Sequence, residues 1–509
     1  MSRRASSGAA ATAWLAAALL LCPLAAAAQP PLIEAVKGGD LAAARALLDQ
    51  GVDVNAPEVD GTTVLHWAAH RDDLEAAELL IGAGANVAAG NRYGVTPISL
   101  AATNGSAAMI ERLLAAGADA NASLLEGETA LMTAARTGAV EAVRVLLDHG
   151  ADVSAVEQWR GQTALMWAAA EGHAAVVREL VARGAEVDAR SSPGGDDADA
   201  GGERPGGFSA FLFAVRNGHL GAAQALADAG ANLNDTAPDG SSALVVAVDN
   251  RNYELAVWLL QRGADANADG VGWTALHTAV LAHRPHFRVV PDPLPTGRVD
   301  SFGLLEALVT HGADPNRPAD RRVRLAQATS PLFDTVGSTP FMLAAVAADV
   351  PVMRLLLAHG ADPYVKTPAG STALMAAAGA ATYAWQSPGS EAEALEAVKL
   401  VLESGVDVNE ADEAGNTALH GAANRGANSV VELLLARGAR LDAANEEGWM
   451  PVTIAQGPVD TIEPFPETYR FLLGLMEAAG LSPPACPQCA LGYTNDEIVL
   501  AGSEPDAAR

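Results

Sequence analysis

The phrase Gly117-Ala-Asp-Ala-Asn121 closes one segment of this chain, and near variants of it close ten others. Its glycines are Gly51, Gly84, Gly117, Gly150, Gly184, Gly230, Gly263, Gly312, Gly360, Gly405 and Gly438. The intervals are 33, 33, 33, 34, 46, 33, 49, 48, 45 and 33 residues, a period of 33 stretched at four places. A phrase that recurs eleven times in register does not arise from composition, so the chain is an array of one structural unit.

A second phrase follows about a dozen residues behind the first: Thr63-Val-Leu-His66, Thr96-Pro-Ile-Ser99, Thr163-Ala-Leu-Met166, Thr274-Ala-Leu-His277, Thr339-Pro-Phe-Met342 and Thr417-Ala-Leu-His420. In residues 60–88, Asp60-Gly61 makes a tight turn, and Thr63 caps a short Ala-rich helix whose first N–H groups need an oxygen acceptor. Pro97, Pro340 and Pro451 stand just after the cap, where a missing N–H does no harm. A second helix over 74–81 carries apolar residues at helical spacing, and Gly84 closes it in the left-handed conformation. Asp or Asn two residues later turns the chain toward the next unit. One unit cannot bury its apolar stripe alone, so the units stack.

Period and phrases together resemble the ankyrin repeat, over roughly residues 31–480. The resemblance implies an all-α solenoid of about twelve helix-turn-helix units with short turn fingers. It also implies that His66, His277 and His420 support the loops by hydrogen bonding.

Half of the residues are apolar, inflated by alanine, whose small side chain lets paired helices pack closely. The formal charge is −29, with 61 acidic against 32 basic residues, which argues against nucleic acid and anionic membranes as partners. Residues 1–28 have the layout of a secretory signal peptide: Arg3 and Arg4, an apolar stretch over 11–21, then Ala25 to Ala28 before Gln29. That stretch is too short for a permanent span, so the mature chain is expected to be exported, periplasmic or extracellular, without a membrane span. Twin-arginine export lacks its apolar pair after Arg4, and acylation at Cys22 meets bulky Leu21.

The spacings divide the rest. Repeats one to five, the first a capping unit, occupy 31–189, and a Gly-, Asp- and Pro-rich flexible insertion follows over 190–207. Repeats six to eleven occupy 208–442, with insertions near 283–300, 318–337 and 380–393. A capping repeat over 443–480 and a tail over 481–509 complete the chain.

Candidate chemistry is sparse. Cys486 and Cys489 form a Cys-x-x-Cys in the tail, where a local disulfide is the plain reading; a redox pair, a metal half-site, free thiols or pairing between chains also fit the spacing. His283 and His286 lie with Arg284 and Arg288 in a Pro-rich stretch with no carboxylate partner evident, and read as solvated loop residues. The run Asp196-Asp197-Ala-Asp199 lacks the ligand order of a calcium loop. From Arg284 to Arg324 there are seven arginines against five acidic residues, enough for an anion site or for pairing with the array's own carboxylates. No nucleophile elbow or P-loop is present, and no cofactor or metal is expected.

The surface remains. The residue after the second phrase faces the groove of such arrays, and large side chains there cluster toward the N-terminal half. The expected partner-binding residues are Trp67, Arg71, Tyr93, Arg136, Trp159, Trp167 and Phe213, centred on the two first-helix tryptophans. The expectation is a monomeric, non-catalytic scaffold for a protein partner. The alternative is a receptor or accessory subunit whose C-terminal insertions and Cys-x-x-Cys tail make a small-molecule or redox-linked site.

Overall fold

The computed structural model describes residues 31–489 except 193–206, 270–271, 285–296, 322–329, 331, 382–388, 459–461, 463, 484 and 487–488. The leader expected over 1–28, the acidic run 196–199 and most of the insertion residues lie outside the described residues. Within them, twenty-four helices form twelve consecutive pairs, from Pro31–Lys37 with Leu41–Asp49 to Pro451–Gln456 with Pro466–Ala478. The members of each pair pack together, and first helices pack on the first helices of adjoining pairs. The fold is the expected all-α solenoid, and small side chains permit it: Ala68, Ala69, Ala101, Ala102, Ala134 and Ala135 are wholly buried on the first helices.

Each first helix begins on its phrase. The hydroxyls of Thr96, Thr129, Thr163 and Thr339 accept from the N–H three residues on, and Pro97, Pro340 and Pro451 open their helices. Where histidine ends the phrase, its ring joins two repeats. His66 Nδ1 accepts from the Thr63 N–H at 3.1 Å, while Nε2 lies 2.9 Å from the Val95 carbonyl of the next repeat. His277 and His420 repeat this with the carbonyls of Ser338 at 3.2 Å and Trp449 at 3.0 Å. An imidazole that accepts at one nitrogen and donates at the other is neutral.

The opening phrase divides its labour. A Cβ added to Gly84 or Gly312 would meet nothing within 4 Å, so it is their φ of +88° and +89°, and not crowding, that calls for glycine. The aspartate at the third position accepts locally, as Asp265 does from the Asn267 N–H at 2.9 Å. The asparagine at the fifth reaches forward: the Asn267 amide donates to the Gly312 carbonyl at 2.8 Å and its oxygen accepts from the Asp314 N–H at 2.7 Å. Fingers closed by β-bridges such as Ser123–Thr129 and Val156–Thr163 link tip to tip, with the Gln158 N–H donating to the Glu126 carbonyl at 2.8 Å.

Two insertion edges differ from the sequence reading. Arg190 pairs with Ser209 across a β-bridge and the Ser191 N–H donates to the Phe208 carbonyl, so the ends of the 190–207 segment are hydrogen-bonded parts of a finger. In repeat ten the second helix, Glu391–Glu403, starts inside the expected 380–393 interruption because Ser390 and Glu393 form a capping box.

Candidate partner-binding face

The groove position after the capping phrase changes along the array. Trp67, Leu100 and Trp167 are half-buried, whereas Phe213 is 6% exposed and Leu343, Ala376 and Ile454 are 0% exposed. Leu332 and Phe333, from the extended interval before repeat nine, are buried as well, at 2% and 4% exposed. The face is therefore filled by the chain itself in the later repeats, while Trp67, Leu100 and Trp167 of repeats two, three and five stay half-open around a buried Thr133 in repeat four.

At its open end, Trp67 sits in a closed set of contacts. Lys37 lies 4.3 Å from the centre of its ring, and Glu58 accepts from both the Lys37 ammonium and the indole N–H at 2.7 Å. A hollow of about 270 Å³ lies beside it, lined by His66, Trp67, His70, Asn91, Val95 and Leu100. Burial lowers the His66 pKa, so this hollow presents a neutral ring.

Trp167 stands at the same register with a different neighbourhood. Arg136 lies 5.3 Å from its ring centre, but the indole N–H is buried with no acceptor. Glu128, held by the Thr133 hydroxyl at 2.7 Å, approaches Arg136 only to 3.9 Å.

The remaining expected residues fall in two groups. Arg71 is exposed but donates to the Lys37 carbonyl at 2.9 Å, tying repeat two to repeat one. Tyr93, 55% exposed at a finger tip, carries Arg92 over its ring at 4.9 Å. Trp159, 46% exposed at the tip in repeat five, carries Arg160 at 4.2 Å. Phe213 corrects the expectation: it is buried against Phe208, ring centres 5.5 Å apart, and the exposed group there is Arg216, which lies over both rings at 5.1 and 5.2 Å. The rings desolvate Arg216 and Arg160 repels it, and both lower its pKa. Arg160 and Phe208 were missed from sequence; the signals were an arginine adjoining a tip tryptophan and an aromatic just before a capping serine.

The insertion roots tell a separate story. His283 and Arg284, only partly exposed, are tied down: both lie 3.6 Å from Asp349 Oδ2 of repeat nine, and Arg284 also donates to Glu393 of repeat ten at 2.7 Å. His283 Nδ1 meets the Ser301 hydroxyl at 2.7 Å, giving a serine, a histidine and an aspartate in line. The imidazole to carboxylate step exceeds hydrogen-bond distance, and Asp349 also caps its own helix through Val352 and faces Arg284, so the group fastens three repeats together. Arg317 pairs with Asp269 at 2.7 Å. Cys486 and Cys489 are joined in a disulfide with Cα atoms 5.4 Å apart. Among the described residues no cluster of three or more His, Cys, Asp or Glu suits a metal ion, and no helix is long and apolar enough to cross a membrane.

The family model "Ankyrin repeats (3 copies)" matches residues 15–91, 32–123, 98–191 and 211–290; "Ankyrin repeats (many copies)" matches 395–455, and "Ankyrin repeat" matches 336–368. The chain is similar to ankyrin repeat and SOCS box protein 16 of Mus musculus, 32% identical over 231 residues, covering 42% of this chain and 46% of that protein. It is also similar to protein phosphatase 1 regulatory subunit 27 of Homo sapiens, 42% identical over 57 residues, covering 11% of this chain and 37% of that protein. Among solved structures, the human ASB11 ankyrin repeat domain aligns with a TM-score of 0.39 at 28% identity, over 46% of this chain and 98% of that one. The chain spans less than half the length of these curated relatives.

Proposed function

Since the chain belongs to the ankyrin-repeat family, whose repeats in general mediate protein–protein interaction, we propose that it is a non-catalytic scaffold that binds a protein partner along the first-helix face of repeats two to six. The observation that carries this reading is the contrast in burial along one register: Trp67, Leu100 and Trp167 remain half-open, while Leu343, Ala376 and Ile454 are covered by the chain itself. Half-buried Trp167 beside Arg136, exposed Trp159 beside Arg160 and exposed Arg216 over Phe208 supply the side-chain types that dominate interface energetics. Tyr93 and Trp159 extend the same surface to the finger tips. The partner engages a monomer.

The signal-peptide layout of residues 1–28 supports a setting outside the cytosol, periplasmic or extracellular, after cleavage near Ala28. The Cys486–Cys489 disulfide supports an oxidising compartment. N-terminal sequencing of protein recovered from outside the cytosol should begin near Gln29; a mature chain that retains residues 1–28 would contradict this placement.

The binding test uses the full chain as bait in its native extract, beside the Trp67→Ala/Trp167→Ala double variant. Proteins retained by the first and lost by the second are identified, purified and titrated directly. The reading predicts a loss of at least ~30-fold in affinity for the double variant, two interface anchors being removed. Equal affinity for bait and variant would contradict it.

A further inference from the structure

The groove contains its own template for what the partner brings. At Trp67 a cation, a ring and a carboxylate form a complete set: Lys37 over the ring, with Glu58 joining the Lys37 ammonium to the indole N–H, both at 2.7 Å. At Trp167 the cation and the ring recur. Arg136 stands in the last turn of its helix, as Lys37 does, one repeat before the tryptophan it covers. No carboxylate joins the two: Glu128 comes only within 3.9 Å of Arg136, and the indole N–H is buried without an acceptor.

The reason lies in the finger. Glu157 opens the finger of repeat five as Glu58 opens that of repeat two, but this finger closes on Gln162, five residues on, where Glu58 closes on Thr62, four residues on. Glu157 bends inward and accepts from the N–H groups of Trp159, Arg160 and Gln162. An unpartnered buried donor is destabilising, and a ligand acceptor relieves it.

Charge points the same way. Although acidic residues outnumber basic ones 61 to 32, neither Arg160 nor Arg216 pairs with a carboxylate among the described residues. Each lies instead on aromatic rings, Trp159 for Arg160, Phe208 and Phe213 for Arg216.

Building on the partner-binding reading above, we propose that repeats four to six bind an acidic segment of the partner protein. One of its carboxylates takes at Trp167 the place that Glu58 holds at Trp67, between the indole N–H and Arg136. Further carboxylates meet Arg160 and Arg216, and the segment's apolar atoms lie against Trp159. The side chain of Arg136 is 49% exposed and turns with the entering carboxylate.

The test is fluorescence anisotropy of the full chain with fluorescein-labelled hexaglutamate, hexalysine, hexaserine and hexathymidylate. Salt is set at ~150 mM, where a Debye length of ~8 Å screens distant acidic residues. Hexaglutamate should bind best, and Trp167→Phe or the Arg136→Gln/Arg216→Gln pair should each weaken it at least ~10-fold, the size of a lost charge-assisted hydrogen bond. Arg437→Gln, an exposed position near the end of repeat eleven, should leave it unchanged. Circular dichroism melts confirm that each variant is folded.

Hexaglutamate binding that ignores the arginine and Trp167 variants would overturn the proposal. So would tighter binding of hexalysine, hexaserine or hexathymidylate, the last of which would point to a phosphate chain. If hexaglutamate fails while the captured partner still depends on Trp67 and Trp167, the acidic assignment falls and the groove stands. If the captured partner ignores both tryptophans, the groove reading falls and the acidic assignment falls with it.

Discussion

Arg284 and Glu393 are 109 residues apart in the chain and 2.7 Å apart in space. Their bridge passes over repeat nine, where Asp349, 1% exposed, faces Arg284. The interruptions of repeats eight and ten are thus joined at their roots by an ion pair anchored on a buried carboxylate. Replacing Arg284 with alanine leaves Asp349 buried without its nearest guanidinium and should lower stability by about 2 kcal/mol, less than for a wholly buried pair because Arg284 is partly exposed. Urea unfolding checks this, with Arg440→Ala as a control that removes an exposed pair with Asp442 and should leave the midpoint unchanged.

The joining histidines predict a pH dependence. Burial pushes the pKa of His277 and of His420 down to about 4, against the smaller opposing pull of the carbonyls they face. Between pH ~4 and ~6.5 the unfolded chain therefore holds protons that the folded chain has released, and stability rises with pH. The contribution is fully present above ~6.5 and is lost on acidification toward ~4, by about 3 kcal/mol per ring at most. Urea midpoints at pH 7.5 and pH 4.5 should differ more for the native chain than for a His277→Gln/His420→Gln variant. Equal differences would show that carboxylates alone set the acid sensitivity.

The two groove tryptophans should respond oppositely to loss of the indole N–H. Trp67→Phe removes a donor from Glu58 and should destabilise by about 1 kcal/mol. Trp167→Phe removes a donor that has no acceptor and should be neutral or stabilising by up to ~1 kcal/mol. Thermal melts of the two single variants decide the order, and a Trp167→Phe variant that is the less stable would contradict it.

The asparagine at the end of the repeated phrase makes a further measurable contribution. Asn267→Ala deletes two bonds to the next phrase, at Gly312 and Asp314, and should cost about 1 kcal/mol because both lie at an exposed edge. Hydrogen exchange should then speed up at the Asp314 amide, while the Asn267 amide, bonded locally to Asp265, stays protected.

That asparagine marks where sequence reading stopped. Thr96, Pro97, Gly84 and the aspartates act within a few residues of themselves, so their roles were legible from the phrase. Asn267 finds its partner at Gly312, 45 residues on, past an insertion, and no local rule points there. The candidate face was legible as a register, because one position per repeat looks toward it. Its openness was not, since the register residue is half-buried at Trp67 and Trp167 and wholly buried at Leu343, a difference set by packing between repeats. Likewise, Phe213 looked like a contact residue until Phe208 and Arg216 were seen to cover it, and the missing acceptor at Trp167 depends on which way Glu157 turns.

Photocrosslinking tests the central claim most directly. The full chain would carry benzoylphenylalanine at Leu100, on the half-open face of repeat three, at exposed Arg178 on the second helix of repeat five, or at exposed Arg437 near the end of repeat eleven. A partner bound along repeats two to six crosslinks at Leu100 and not at Arg178 or Arg437. Crosslinks at Arg178 or Arg437 with none at Leu100 would contradict the account.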